Sequence, residues 1–261
     1  SDIARKVESM GVGKAHIDTF TLLVLAILAG AFISLGALFF TVVVTDSHMG
    51  FGVTRLLGGL SFSLGLILVV IGGAELFTGN NLLAMAWASG QISTFSMLRN
   101  WGLSYIGNVI GAVLTVFLVY WADIASFGGG AVGDTAVKIA SDKAGLTMVQ
   151  AFLRGMLCNT LVCLAVWLAM GGRSVMDKIM SIFLPIAAFV AIGFEHSIAN
   201  WFFLPFGMLL KGTAEVPMGG TVMNLVMVTL GNVVGGAVQV GAVYWLAYSR
   251  KNKTLQRVTS S

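Results

Sequence analysis

Gly193-Phe194-Glu195-His196-Ser197-Ile198-Ala199-Asn200 places a carboxylate, an imidazole, a hydroxyl and an amide in the middle of a long apolar run. On both sides, over residues 182–190 and 201–210, the composition is that of a membrane span. The bilayer core cannot satisfy bare backbone groups or charges, so such an interruption is tolerated only where protein buries it or where it lines a cavity. The stretch therefore predicts a polar site inside the membrane, with a substrate passing beside His196.

The whole chain has the composition of a polytopic membrane protein. Of its 261 residues, 57% are hydrophobic and 10% are charged, whereas soluble proteins carry about 25% charged residues. At about 20 residues per span, there is room for roughly six spans and for no separate soluble domain. Lys and Arg are scattered through short loops and tails and form no basic stripe, which argues against nucleic-acid binding. We therefore predict an all-α protein whose surroundings are the lipid bilayer.

The apolar runs predict a single transmembrane channel domain over residues 1–261. Charged and apolar residues alternate at helical spacing in its first segment, which is typical of an amphipathic helix on a membrane surface. We expect helices two and five to be broken, the former near Thr78, because glycines, acids and amides interrupt both. The predicted segments are an amphipathic segment at 1–14, a first repeat at 20–120, a folded-back loop at 121–148, a second repeat at 149–248 and a cytoplasmic tail at 249–261.

The two halves of the chain repeat each other. The pattern Gly-x-Glu, followed five residues later by Asn, begins at Gly73 and again at Gly193. The sequence GNVIGA at 107–112 is echoed by GNVVGG at 231–236. Because each half contains three spans, the second copy must be inverted in the membrane. Inverted repeats with matched broken helices indicate a transport pathway near the bilayer midplane.

The distribution of basic residues predicts the orientation. With both termini in the cytoplasm, the cytoplasmic side holds twice as many Lys and Arg as the other side, in agreement with the positive-inside rule. We therefore expect a multi-pass protein of the cell's inner (cytoplasmic) membrane with cytoplasmic termini. The basic residues expected on the opposite side are Arg55, Lys138, Lys143, Arg154 and Lys211.

Four strings make the chain resemble the formate/nitrite transporter family: LFT at 76–78, NTLVCLAVW at 159–167, GGRSVMDK at 171–178 and, most specifically, GFEHSIAN at 193–200. The resemblance covers essentially the whole chain. It implies an aquaporin-like protomer of six spans with helices two and five broken. It also implies a homo-pentamer with one anion pore in each protomer.

The resemblance further implies which residues line the pore. A central polar chamber would contain Thr78, Asn159 and His196, and Lys143 of the folded-back loop would supply a positive field. The outer constriction would consist of Phe62, Leu66, Val162 and Phe189, and the inner constriction of Leu76 and Phe77. No catalytic residue, metal ligand or cofactor is expected.

The chemistry of a buried histidine agrees with this implication. A neutral His196 among apolar residues resists protonation because desolvation disfavours its charged form, and it can donate a hydrogen bond or pass a proton to an anion. A charge at the membrane centre costs about 2.5–3.5 kcal/mol even on translocon-derived scales, and neutralising the anion to a weak acid removes much of that cost. Glu75, Glu195 and Asn200 are expected to be structural, the two carboxylates accepting hydrogen bonds from N–H groups freed at the helix breaks.

Several functions remain open on the sequence. The first hypothesis is a passive or proton-coupled channel for formate, with nitrite and hydrosulfide as rivals and acetate and lactate as further substrates. The Phe62 and Phe189 pair and Leu66 resemble the formate branch of the family, and this resemblance favours formate. Aquaglyceroporin activity is disfavoured because no Asn-Pro-Ala motif occurs. A membrane anchor subunit of a redox enzyme is disfavoured as well. Such a subunit commonly binds haem through paired histidines, and only His196 lies within a span. Hydrolysis is disfavoured too, since no Ser/His/Asp arrangement stands out, so we expect no enzyme.

Overall fold

The computed structural model describes residues 1–250, and this part of the chain is helical with no β-strand. Most of the predicted tail at 249–261 lies outside the described residues. Six helices are long and apolar enough to cross a membrane: Thr19–Val44, Phe51–Gly72, Thr94–Trp121, Met148–Gly171, Val175–Ile192 and Met218–Ser249. The predicted all-α architecture with six membrane helices is confirmed.

The helices follow in the order α1 Asp2–Ala15, α2 Thr19–Val44, α3 Phe51–Gly72, α4 Phe77–Asn80, α5 Leu83–Ala88, α6 Thr94–Trp121, α7 Ala131–Ala144, α8 Met148–Gly171, α9 Val175–Ile192, α10 Ser197–Lys211 and α11 Met218–Val233. A 3₁₀ turn at Ile124–Ser126 precedes α7, and π-helical turns at Val234–Ala242 and Trp245–Ser249 continue α11 to the end of the last span.

Both helix breaks begin at a glycine in the left-handed region. Gly73 follows α3 with φ +75° and Gly193 follows α9 with φ +88°, a conformation that glycine adopts without steric cost. The chain is unwound over residues 73–76 and 193–196 before α4 and α10 begin. Thr78, near which the first break was predicted, lies in the first turn of α4.

The folded-back loop predicted at 121–148 contains a helix. This helix, α7, has 14 residues, as does α1. α1 packs against α5 and α8, and α7 packs against α10 and α11. Each half of the repeat therefore begins with a short amphipathic helix, a correspondence that the sequence pattern did not reveal.

Glycines let the long helices approach each other closely. A Cβ atom on Gly111 of α6 would collide with the main-chain oxygen of Ile27 in α2. In the other half, a Cβ atom on Gly235 would collide with the main-chain oxygen of Met156 in α8. These glycines belong to the two echoed strings of the repeat, so both halves use the same small-residue packing.

Candidate functional site

The two helix breaks meet in a hydrogen bond between His196 and Thr78. His196 is the N-cap residue of α10, and its Nδ1 accepts a hydrogen bond of 3.1 Å from the main-chain N–H of Ala199. Because Nδ1 accepts, the hydrogen of the neutral ring is on Nε2, which donates to Thr78 Oγ1 at 2.9 Å. Both side chains are buried. The hydroxyl hydrogen of Thr78 remains available to another acceptor.

Two cavities approach this pair. The α7 cavity, of about 210 Å³, includes Arg55, Phe62, Lys143, Arg154, Phe189 and His196 in its lining. The α1 cavity, of about 160 Å³, includes Lys14, Leu66, Val70, Glu75, Leu76 and Asn80. Arg55 lies in the second turn of α3 and Phe62 at its middle, whereas Leu66 and Val70 lie nearer its end. The cavities therefore adjoin opposite ends of the same membrane helix.

Aromatic rings line the α7 cavity next to His196. Phe62 and Phe189 pack edge to face with ring centroids 5.6 Å apart, and Phe189 stacks on His196 at 6.1 Å. Val162, predicted in the same outer constriction, is also buried. Leu66, grouped with these three residues by the resemblance, lines the α1 cavity instead. That the four form one outer constriction stays a prediction.

The residues predicted for the inner constriction lie at the start of α4. Leu76 lines the α1 cavity. The ring of Phe77 packs edge to face on Tyr105 with centroids 5.0 Å apart, and its main-chain N–H donates to Asn108 Oδ1 at 2.9 Å. Phe77 is thus held between α4 and α6, and its part in a constriction stays a prediction.

A lysine, a glutamate and an asparagine form a matched cluster in each half. In the first half, Lys14 Nζ bonds Glu75 Oε1 at 2.7 Å, and Asn80 Nδ2 donates to Glu75 Oε2 at 2.8 Å. In the second half, Lys143 Nζ bonds both carboxylate oxygens of Glu195 at 3.0 Å, and Asn200 Nδ2 donates to Glu195 Oε2 at 2.7 Å. Each lysine therefore fixes its amphipathic helix to a helix break.

The ion pair with Glu195 reduces the positive field that Lys143 can offer to an anion. Its ammonium group also lies 5.1 Å from the centre of the Phe203 ring, and its side chain is 14% exposed. Lys143 lines the same cavity as His196, as the predicted role requires. Because Glu195 balances its charge, the field that it supplies to the chamber is weaker than that of an unpaired lysine.

The expectation that Glu75 and Glu195 accept hydrogen bonds from the freed N–H groups is wrong. Asn232 of α11 serves the second break: its Oδ1 accepts from Ser197 N at 2.9 Å and its Nδ2 donates to Glu195 O at 3.0 Å. Asn108 of α6 does the same for Phe77 N and Glu75 O, both at 2.9 Å. An amide supplies both a donor and an acceptor, whereas a carboxylate supplies only acceptors and takes the ammonium group.

Asn108 and Asn232 are the residues that sequence reasoning missed. Both belong to the echoed GNV strings, at equivalent positions of the repeat. That coincidence of two amides inside apolar spans was the available signal, because a polar side chain in a membrane helix needs a partner.

Asn159, predicted in the central chamber, lies beside Thr78. Its Nδ2 is within hydrogen-bonding distance of Thr78 O at 3.2 Å, Asn81 Oδ1 at 2.7 Å and Asn232 O at 2.7 Å. These bonds tie α8 to the first half's break and to α11. A direct contact of Asn159 with a substrate stays a prediction.

Within residues 1–250, no group of three or more His, Cys, Asp or Glu side chains could hold a metal ion. Cys158 and Cys163 are buried free thiols.

Comparison with known proteins agrees with this architecture. The formate/nitrite transporter family profile matches residues 1–246. The formate channel FocA of Escherichia coli (strain K12) is 41% identical over 96% of this chain and 94% of its own. A solved pentameric formate channel with formate bound superposes with a TM-score of 0.81 at 44% identity, covering 88% of this chain and 97% of its own. A solved FNT family ion channel gives a TM-score of 0.87 at 29% identity over 94% and 98%. The chain therefore belongs to the formate/nitrite transporter family, whose members are transport proteins rather than enzymes.

Proposed function

We propose that this protein is a channel for small monovalent anions, that formate is its main substrate, and that it assembles as a homo-pentamer. The observation that carries the proposal is the buried hydrogen bond of 2.9 Å between His196 and Thr78, with a cavity approaching from each end of the membrane helices. The relatives that are formate channels, one solved as a pentamer with formate bound, support the choice of substrate and assembly.

The order of donors suits an anion with a small polar head. The Nε2–H of His196 donates to Thr78 Oγ1, and the Thr78 hydroxyl then donates to a carboxylate oxygen beside it. Phe62, Phe189 and Leu76 surround this point with apolar surface, so an ion must shed water to reach it. A charge at the membrane centre costs about 2.5–3.5 kcal/mol, and these donors offset part of that cost.

Proton-coupled flux requires, in addition, that His196 first takes up a proton. Neutral His196 carries a single ring hydrogen, on Nε2, and surrendering it would leave an imidazolate. Formation of formic acid therefore requires a proton that first binds Nδ1 and displaces the hydrogen bond from Ala199 N, which is 3.1 Å long. The Nε2 proton then passes to Thr78 Oγ1 while the hydroxyl hydrogen of Thr78 passes to formate. Both groups end neutral.

The experiment is flux into proteoliposomes of formate, nitrite and hydrosulfide, each at two pH values, for the wild type and for His196→Asn. We expect formate to lead, with faster flux at the lower pH in the wild type only. A lead for nitrite or hydrosulfide would contradict the substrate, and an unchanged pH profile in the variant would contradict proton transfer at His196.

The orientation is part of the same proposal. With both termini in the cytoplasm, the α1 cavity opens to the cytoplasm and the α7 cavity to the opposite side of the cell's inner membrane. The bias of Lys and Arg supports this direction. A membrane-impermeant thiol reagent added to intact cells should label Lys138→Cys in α7 and spare Ser9→Cys in α1. The reverse pattern would contradict the orientation.

A further inference from the structure

The α7 cavity contains two arginines that the repeat does not duplicate. The main-chain oxygen of Arg154 accepts a hydrogen bond from Glu195 N at 3.2 Å, and the main-chain oxygen of Leu25 accepts one from Glu75 N at the same distance. Leu25 therefore occupies the place of Arg154 in the other half. Arg55 precedes Glu75 by as many residues as Val175 precedes Glu195. Both arginines thus have apolar counterparts.

Arg55 is fixed by the end of the broken helix. Its Nε donates to Ala191 O at 2.9 Å and its Nη2 donates to Val190 O at 2.7 Å. These carbonyls lie in the last turn of α9, where the regular hydrogen bonds of the helix end and a cation is favourable. Val190 O also accepts a hydrogen bond of 3.1 Å from Gly193 N, the residue that ends the helix. A Cβ atom on Gly193 would lie 3.2 Å from Nη2, so the guanidinium packs directly on the break. Neither hydrogen bond uses Nη1.

Arg154 is held by its backbone and leaves its side chain exposed. Among the described residues, its guanidinium makes no ion pair. The position follows from the bond to Glu195 N, which places Arg154 beside the same break that Arg55 caps. The two side chains line one cavity of about 210 Å³.

The two arginines give the two cavities different net charges. Lys143 and Glu195 balance each other in the α7 cavity, as Lys14 and Glu75 do in the α1 cavity. The remaining charged residues of the α7 cavity lining are Arg55, Arg154 and Asp142, and the carboxylate of Asp142 is bound by Lys138. The α7 cavity is therefore positive, whereas the α1 cavity is neutral.

We propose that Arg55 and Arg154 form an anion-binding site that takes a small monocarboxylate in the α7 cavity before it reaches His196. A guanidinium presents a planar fork of donors that matches a carboxylate, and a half-enclosed cavity strengthens the attraction. Since the α1 cavity lacks such a pair, the channel binds its anion more tightly from the α7 side. This inference rests on the proposed function.

The test uses planar bilayers with formate on one side and measures the concentration that gives half-maximal current. Arg154→Gln should raise this concentration roughly three- to tenfold from the α7 side, as expected for the loss of one charge at several ångströms in a wet cavity, and by less than about twofold from the α1 side. Arg154→Lys should retain most of the wild-type value. Lys211→Gln is the matched control, because it removes an exposed cation near the same face but outside the cavity lining.

A chemical modification identifies the side and the sign of the charge. In Arg154→Cys, a cationic methanethiosulfonate applied from the α7 side should restore tight binding, and an anionic one should weaken it further. Wild-type channels treated in the same way control for the buried Cys158 and Cys163. Equal half-maximal concentrations for the wild type, Arg154→Gln and both adducts would overturn the arginine site while leaving formate conduction intact. An absence of formate current in the wild type would instead contradict the proposed function.

Discussion

Replacing Asn232 by Leu should destabilise the protein strongly, because this one amide binds both a main-chain N–H group and a main-chain carbonyl at the second helix break. The side chain is fully buried, accepts from Ser197 N at 2.9 Å and donates to Glu195 O at 3.0 Å. Leu has a similar volume and removes both bonds, together with a third from Asn232 Nδ2 to Gly155 O at 2.7 Å. Two buried backbone groups then lack partners, at about 1–3 kcal/mol each, so we expect a loss of about 2–6 kcal/mol.

The repeat supplies an internal check on this magnitude. Asn108 makes the equivalent bonds to Phe77 N and Glu75 O, both of 2.9 Å. Asn108→Leu should therefore cost about as much as Asn232→Leu. The assay is equilibrium unfolding in detergent or bicelles, followed by tryptophan fluorescence. Gln239→Leu is the control, because this amide is exposed and accepts only from the Thr160 hydroxyl, which can bond Met156 O instead. It should shift stability by less than about 0.5 kcal/mol. If both asparagine variants unfold like this control, the breaks are not held by these amides.

Three other changes test the surrounding structure. Lys143→Met removes the partner of a nearly buried carboxylate, whose side chain is 5% exposed, and should cost about 3–5 kcal/mol in the same unfolding assay; wild-type stability would contradict the importance of the pair. Gly193→Ala forces a side chain to φ +88° and should cost about 1–2 kcal/mol, whereas Gly219→Ala, with open space around it, should cost less. Hydrogen bonds from Thr21 in the first turn of α2 hold the pKa of Asp18 below its ordinary value of 3.8. The ionised carboxylate therefore stabilises the fold fully above pH 3.8, and this stabilisation is lost as the pH falls through the lower pKa of the folded state. Asp18→Asn should remove this part of the acid-induced loss in thermal unfolding scans between pH 6 and pH 2, and identical pH profiles would refute it.

The sequence predicted the helix breaks because their chemistry is local. Gly73 and Gly193 each stand just before a glutamate inside an apolar run, and both adopt the left-handed backbone that ends a helix. The resemblance implied only that Thr78 and His196 share a central chamber, since two residues so far apart in sequence cannot be connected by spacing alone. It did not predict the hydrogen bond between them.

The partners of the polar groups could not be predicted in the same way. Lys143 bonds Glu195 because residues 131–144 form a helix that packs on α10, and the sequence pattern predicted only a folded-back loop. Which cavity Leu66 lines depends on how α3 is rotated about its own axis. An apolar helix with little periodicity does not reveal that rotation.

The measurement that tests the central claim most directly is formate flux through Thr78→Val. Valine keeps the shape of threonine but removes the hydroxyl that bonds His196 at 2.9 Å. Thr115→Val is the matched control, because that buried hydroxyl bonds only the carbonyl of Gly111 in its own helix. The loss of a hydrogen bond worth about 1.5–3 kcal/mol to an anion predicts a decrease in flux of roughly 10- to 100-fold for Thr78→Val, with Thr115→Val close to the wild type. Equal flux through the wild type and both variants would contradict a substrate path beside the Thr78–His196 pair.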